Sequence, residues 1–141
     1  VALSHHAKLL ILDEPTSGLD PFMRDEILDI LYEFTRAEDQ SVLISSHIVS
    51  DLERLCDYIA YIDQGSLKLY EEKDRLIEQY GILKCSKEEL KEFDEQAVKG
   101  VRKNSYGVEA LVDKLKMPKD YKTDMATLEE IIVFLSKGQE E

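Results

Sequence analysis

The sequence predicts an α/β unit followed by a small α+β unit, and three observations carry that prediction. Strand-length aliphatic runs alternate with helically spaced apolar residues over the first 80 positions. The charge balance then breaks: residues 1–80 hold 7 basic and 17 acidic side chains, net -10, whereas 81–141 hold 11 and 13, net -2. Beyond Gly81 the texture changes as well, with short strand and helix signals alternating irregularly. The expected organisation is 1–80 and 81–141.

The elements follow in order. Residues 8–13 form a continuous aliphatic run ended by Asp13-Glu14-Pro15, the pattern of a buried strand. Pro15-Thr16-Ser17-Gly18 is a turn cluster. Asp20 before Pro21 opens a helix, with a capping carboxylate and proline at the first helical position. Ile27, Ile30, Leu31 and Phe34 carry that helix to about Arg36. Phe22, Tyr32 and Phe34 are read as core or interface aromatics, not a stacking platform. Ser41–Ser45 is a second short strand, and Val49, Leu52 and Leu55 mark a second helix. Tyr58–Asp63 and Ser66–Tyr70 are strands joined at Gln64-Gly65. A helix containing Leu76 and Ile77 comes next, with Gly81 expected to end it in a left-handed conformation. In the second part, Ile82–Cys85 and Val98–Lys103 are expected strands, and Ser86-Lys87-Glu88-Glu89 a capping box. Val108, Leu111, Val112 and Leu115 suggest a helix, and Thr127-Leu128-Glu129-Glu130 opens the last one, stopped by Gly138.

Composition narrows the function. With 43% hydrophobic and 34% charged residues the chain reads as soluble and globular. Its longest aliphatic run, Leu9-Leu10-Ile11-Leu12, falls far short of the roughly 20 residues of a membrane span. Val1 to His6 has no basic start and no long apolar segment, so it does not read as a secretory leader. Cys56 and Cys85 fit no metal or redox spacing and are expected to be reduced thiols. His5 and His6, adjacent and without a third ligand, read as surface residues in a helix-to-strand turn. A net charge of -12 opposes a nucleic acid partner, which needs clustered Lys and Arg.

Chemistry concentrates in Leu9-Leu10-Ile11-Leu12-Asp13-Glu14-Pro15. Carboxylates at the C-terminal end of a parallel strand stand where open α/β sheets place their ligands. Successive strand residues point to opposite sides, so Asp13 and Glu14 can address different atoms. In phosphoryl transfer the first holds Mg²⁺, usually through water, and the second orients and deprotonates the attacking water. Ser17-Gly18-Leu19-Asp20 follows at once. Ser45-Ser46-His47 closes the next strand, with His47 standing 33 residues after Glu14.

In this order and spacing the three motifs resemble the Walker B strand, the D-loop and the switch histidine of ABC transporter ATP-binding subunits. The resemblance implies a partial P-loop NTPase sheet with helices, strong over residues 1–75 and loose beyond. It implies that Asp13 coordinates the magnesium shell, that Glu14 is the general base, and that His47 contacts the γ-phosphate of ATP. Ser17, Gly18, Leu19 and Asp20 would form the loop that faces a second ATPase subunit in a homodimer. Pro15 and Thr16 would merely connect the motifs, and Tyr58 to Tyr70 resembles the strand pair that closes the ATPase sheet. The implied partner is a membrane-spanning transporter subunit that holds the chain at the cytoplasmic face of the membrane.

The departures matter equally. No Gly-x-x-x-x-Gly-Lys-Ser/Thr occurs, and the glutamine loop and Leu-Ser-Gly-Gly-Gln-type signature are missing too. Without the first there is no backbone cradle for phosphates. Val1 to His6 resembles the tail of the helix after the signature, so the chain is expected to be a C-terminal fragment that is inactive alone. The strand of residues 8–13 would then have an uncovered face, with self-association or marginal stability as the consequence. Residues 81–141 resemble the C-terminal extension of drug, antibiotic-peptide or sodium exporter ATPases and are read as a structural cap, with a small-molecule sensor as the alternative. Two alternatives remain: a non-catalytic regulatory protein derived from such a cassette, or an ABC ATPase of DNA repair or translation.

Overall fold

A computed structural model describes residues 7–105 and 107–137. His5, His6, the rest of the first six residues and Gly138 lie outside the described residues. The structure is mixed α/β with open sheets, as expected, and it divides into two compact units, 1–56 and 57–141. That division by compactness falls after Cys56, ahead of the change in sequence texture at 80/81.

In the first unit, β1 (Leu9–Asp13) pairs in parallel with β2 (Ser41–Ser45), in a register running from Leu9↔Ser41 to Asp13↔Ser45. The connection is α1 (Pro21–Thr35), a βαβ crossover of the kind parallel strands require. Asp20 caps α1, its Oδ1 accepting from the backbone N–H of Phe22 at 3.0 Å and Met23 at 3.1 Å. Leu10, Leu28 and Leu31 are buried, and α2 (Val49–Leu55) follows β2. The first strand is buried only at Leu10, so the buried-strand pattern needs correction, whereas the uncovered face expected of it is present. Leu9, Ile11 and Leu43 are 54%, 71% and 61% exposed, because a two-stranded sheet covered on one side leaves its other face open. Phe22 and Tyr32 are also exposed, and Phe34 is only half-buried, so none of the three is a core residue here.

The second unit opens with a hairpin, β3 (Tyr58–Asp63) against β4 (Ser66–Glu72). Its two-residue turn places Gln64 at φ 47 and Gly65 at φ 74, both left-handed, as a type I′ turn demands. Beyond α3 (Lys73–Gln79) lies an antiparallel sheet in the order β6-β7-β5-β8, built from β5 (Tyr80–Cys85), β6 (Val98–Asn104), β7 (Gly107–Asp113) and β8 (Asp124–Met125). The capping box expected at Ser86 opens α4 (Lys87–Leu90), and Thr127 with Glu130 forms another before α5 (Leu128–Lys137).

Two expectations fail in this unit. Residues 108–113 are strand, followed by a 3-10 turn at Lys114–Lys116, where a helix was expected. β7 lies between β5 and β6, and Val108 and Ala110 to Val112 are all buried, so the alternation that marks a half-buried strand is absent. Gly81 is not a left-handed cap; it lies inside β5, where a Cβ would stand 2.7 Å from the Thr123 hydroxyl oxygen. Close approach, not turn geometry, requires that glycine.

Candidate functional site

The parallel register ends β1 and β2 together, with Asp13 opposite Ser45. Glu14 extends the ladder by one bond, its N–H donating to the Ser45 carbonyl at 2.9 Å. It then leaves the strand with φ 46, a left-handed conformation that costs a non-glycine residue roughly 1 kcal/mol. From there its carboxylate reaches His47, two residues past the end of β2. Glu14 Oε1 accepts from the His47 backbone N–H at 3.0 Å, and Oε2 meets His47 Nδ1 at 2.8 Å.

This two-point clasp fixes the histidine ring as well as the carboxylate. A ring nitrogen facing a carboxylate is assigned as the N–H, which turns Nε2 outward. The His47 side chain is largely exposed and Glu14 half-buried, so both are open to a ligand. Each Glu14 oxygen keeps a second lone pair, enough to accept a proton from a water held nearby.

Asp13 Oδ1 accepts a hydrogen bond from Ser45 Oγ, and Oδ2 has no protein partner among the described residues. A hard oxygen donor anchored on one side suits Mg²⁺, which takes one or two carboxylates and fills its shell with water and phosphate oxygens. Among the described residues no three His, Cys, Asp or Glu side chains gather as a metal cage. The residues present therefore fit the metal side of a nucleotide site and supply no cradle for the phosphates.

Ser17, Gly18, Leu19 and Asp20 form the turn between β1 and α1. Ser17 N–H donates to the Glu14 carbonyl at 3.1 Å, Leu19 N–H to the Thr16 carbonyl at 3.3 Å, and Gly18 has φ 75. Ser17, Leu19 and Asp20 are exposed, and Asp20 is committed to the helix cap. The structure thus brings Asp13, Glu14 and His47 to one strand end. Among the described residues it shows no side-chain contact between Ser17, Leu19 or Asp20 and the Glu14–His47 pair.

Sequence reasoning missed what holds this turn in place. Thr16, assigned only a connecting role, is 1% exposed and donates through Oγ1 to Asp51 Oδ2 at 2.6 Å. Asp51 is also 1% exposed, and its Oδ1 accepts from Arg24 Nε at 2.8 Å and from Nη2. Arg24 Nη2 further donates to Ser50 Oγ at 2.8 Å. The turn after the carboxylates is thereby tied to α1 and to the start of α2. No local signal marks Asp51, because its partners lie 35 and 27 residues away. Arg54 bonds Asp25 at 2.5 Å and also Asp29; the Asp25 hydrogen bond first raises its pKa above the ordinary arginine value.

Three relatives illustrate what the chain is similar to. It is 45% identical over 74 residues to the "Lantibiotic transport ATP-binding protein SrtF" of Streptococcus pyogenes, covering 52% of this chain and 32% of that protein. It is 44% identical over 66 residues to the "Bacitracin transport ATP-binding protein BcrA" of Bacillus licheniformis, 47% of this chain and 22% of that protein. With the "Uncharacterized ABC transporter ATP-binding protein YhcH" of Bacillus subtilis it shares 49% over 65 residues, 46% and 21% of the two chains. The chain spans about a fifth to a third of the length of these relatives. A family model described as "AAA domain, putative AbiEii toxin, Type IV TA system" matches residues 1–50. The resemblance to ABC transporter ATP-binding subunits is borne out.

Proposed function

We propose that this chain supplies the hydrolysis side of the ATP site in an ABC-type ATPase subunit that powers a membrane transporter, one that exports. The observation that carries the reading is the clasp of Glu14 on His47 across two parallel strand ends, with Asp13 beside it. The printed names of the lantibiotic and bacitracin relatives support the transport part.

In this reading Asp13 holds Mg²⁺ through water, Glu14 takes the proton of the attacking water, and His47 contacts the γ-phosphate and orients that water. Bound ATP with its metal supplies the electrophilic phosphorus. Ser17, Gly18, Leu19 and Asp20 face a second ATPase subunit in a homodimer, and a membrane-spanning subunit keeps the assembly at the cytoplasmic face. Among the described residues no helix is long and apolar enough to cross a membrane. We assign residues 1–80 to the ATPase segment and 81–141 to a small α+β extension that acts as a structural cap. The 141 residues alone neither bind nor hydrolyse ATP, since they contain no phosphate-cradling loop.

Two measurements test this. In a protein that also carries a phosphate-binding loop, Glu14→Gln is expected to lower turnover by about a hundredfold to ten-thousandfold and leave ATP affinity in place. Retained turnover sinks the assignment of the base. Calorimetric titration of the 141-residue chain with Mg·ATP is expected to show no binding; micromolar binding overturns the incomplete-site reading.

A further inference from the structure

Between Lys114 and Lys122 the chain carries four lysines, Lys114, Lys116, Lys119 and Lys122, against one acid, Asp120, in a protein of net charge -12. Among the described residues none of the four makes an ion pair. By contrast Arg24, Arg54, Arg75, Lys84 and Arg102 each hold a carboxylate within 3.4 Å. These lysines are interleaved with apolar side chains that follow two different fates.

Met117 packs against the cluster of Leu83, Phe93, Val98, Ala110 and Val112. The Tyr121 ring stands edge-on to Phe93, with centroids 4.7 Å apart. Buried Asp113 receives the Leu115 backbone N–H at 3.0 Å and Gln79 Nε2 at 2.9 Å. Thr123 closes over Gly81. The loop is therefore pinned to the sheet at four points. Despite this, Leu115 is 82% and Met125 80% exposed. Register fixes their neighbourhood: Tyr80 pairs with Asp113 and Gly81 with Met125, so the turn carrying Leu115, which leaves β7 after Asp113, and Met125 on β8 lie at the same end of β5. Two strand spacings, about 10 Å, separate β7, which leads into that turn, from β8.

We propose that this loop is a docking surface for an anionic lipid bilayer. Leu115 and Met125 enter the boundary between headgroups and acyl chains, and Lys114, Lys116, Lys119 and Lys122 meet the anionic headgroups. Interleaved lysine and exposed aliphatic residues match that layered chemistry, polar and negative above, apolar below. A nucleic acid would instead take guanidinium forks, and residues 113–125 contain no arginine. The chain's overall negative charge does not oppose docking, because charges beyond about 8 Å from the membrane are screened at physiological salt. The proposal rests on residues 113–125 and is independent of the ATP site.

Co-sedimentation of the 141-residue protein with phosphatidylcholine vesicles, with and without phosphatidylglycerol, tests it. Partitioning is expected only with phosphatidylglycerol and is expected to fall away at about 0.5 M salt. Replacing Lys116, Lys119 and Lys122 together by Ser should weaken partitioning about a hundredfold, at about fivefold per lysine. Leu115→Ser should weaken it about tenfold while the unfolding midpoint of the protein stays in place. The proposal is overturned by equal binding to neutral vesicles, by no binding to either, or by anionic binding that ignores both variants. Tighter binding to a duplex oligonucleotide than to vesicles, unaffected by Leu115→Ser, also overturns it.

Discussion

The two units use their apolar residues in opposite ways. Among the described residues the first buries three apolar side chains, Leu10, Leu28 and Leu31, and leaves Leu9, Ile11 and Leu43 open to water. The second buries sixteen, including Leu76, Leu111, Leu128 and Ile131 at 1% exposure or less. Stability by apolar burial, at about 25 cal/mol per Å², therefore belongs to the second unit. The candidate site belongs to the first, whose turn is held by the polar staple of Thr16, Asp51 and Arg24. A unit can present a well-ordered strand end and still have little core of its own.

The largest expected effect breaks that comparison directly. Leu111 is fully buried on a central strand, so Leu111→Ala should destabilise the second unit by about 2–5 kcal/mol. Ile11→Ala, on the open face of β1, should change stability by no more than about 0.5 kcal/mol. Denaturant midpoints with amide exchange read on each unit separate the two. Similar losses at both positions would mean that the β1 face is covered in solution, as self-association through it predicts.

Next in size is the polar staple. Asp51→Ala strands the Thr16 hydroxyl and the Arg24 guanidinium, and breaking a buried pair from one side costs about 3–5 kcal/mol. The Arg24 side chain keeps about a third of its exposure, so about 2–3 kcal/mol is expected. The double change Asp51→Ala with Arg24→Met should cost less than the sum of the two single changes, since each single leaves a partner uncompensated. Amide exchange at β1 and β2 is the readout, and strict additivity would remove the staple from the account.

A third, smaller effect compares the two non-glycine residues with left-handed backbones, Glu14 at φ 46 and Gln64 at φ 47. Gln64 occupies a hairpin turn whose conformation suits asparagine, so Gln64→Asn should stabilise the second unit by about 0.5–1 kcal/mol. Glu14→Asn relieves the same backbone strain but removes the clasp on His47, so its stability should change by less than that of Gln64→Asn. In a loop-bearing protein it should also abolish turnover. Strain tolerated at a candidate catalytic position, and merely inherited at a turn, predicts that divergence. Thermal midpoints of the two variants check it.

These contrasts also explain what the sequence made legible. Asp20-Pro21, Gln64-Gly65 and Ser86 with Glu89 work through bonds spanning two or three residues, so a local reading finds them. Asp13, Glu14 and His47 stood out through their joint resemblance to the motifs of ABC ATP-binding subunits; the aliphatic runs alone mark only strand ends, which the parallel register brings level. The staple was not, because nothing near Asp51 distinguishes it from exposed Asp25 or Asp29. The helix expected over 108–115 fails because Val108, Leu111, Val112 and Leu115 satisfy a helical period while Val108, Ala110 and Val112 also satisfy a strand's two-residue period, and only the neighbouring strands decide between them. Gly81 and β8 share one cause: β5 and the Thr123–Met125 segment meet across some 40 residues of chain.

The smallest effect lies in the second unit's capping box. Glu89 Oε2 accepts the Ser86 backbone N–H at 2.8 Å, and Ser86 Oγ accepts the Glu89 N–H at 3.2 Å. The bond to the Ser86 backbone, then that to its side chain, holds the Glu89 carboxyl below its ordinary value of 4.5. A carboxyl with a depressed folded-state pKa contributes its stability above the unfolded value and loses it as pH falls through the folded one. The contribution should therefore be complete at neutral pH and disappear on acidification below about pH 4. Glu89 is fully exposed, so the change is slight and is best read locally, as faster amide exchange over 86–90 at low pH. Glu89→Gln keeps a hydrogen-bonding side chain at that position and removes the titration. The acid-induced loosening of α4 should then vanish; if it persists, another group is titrating.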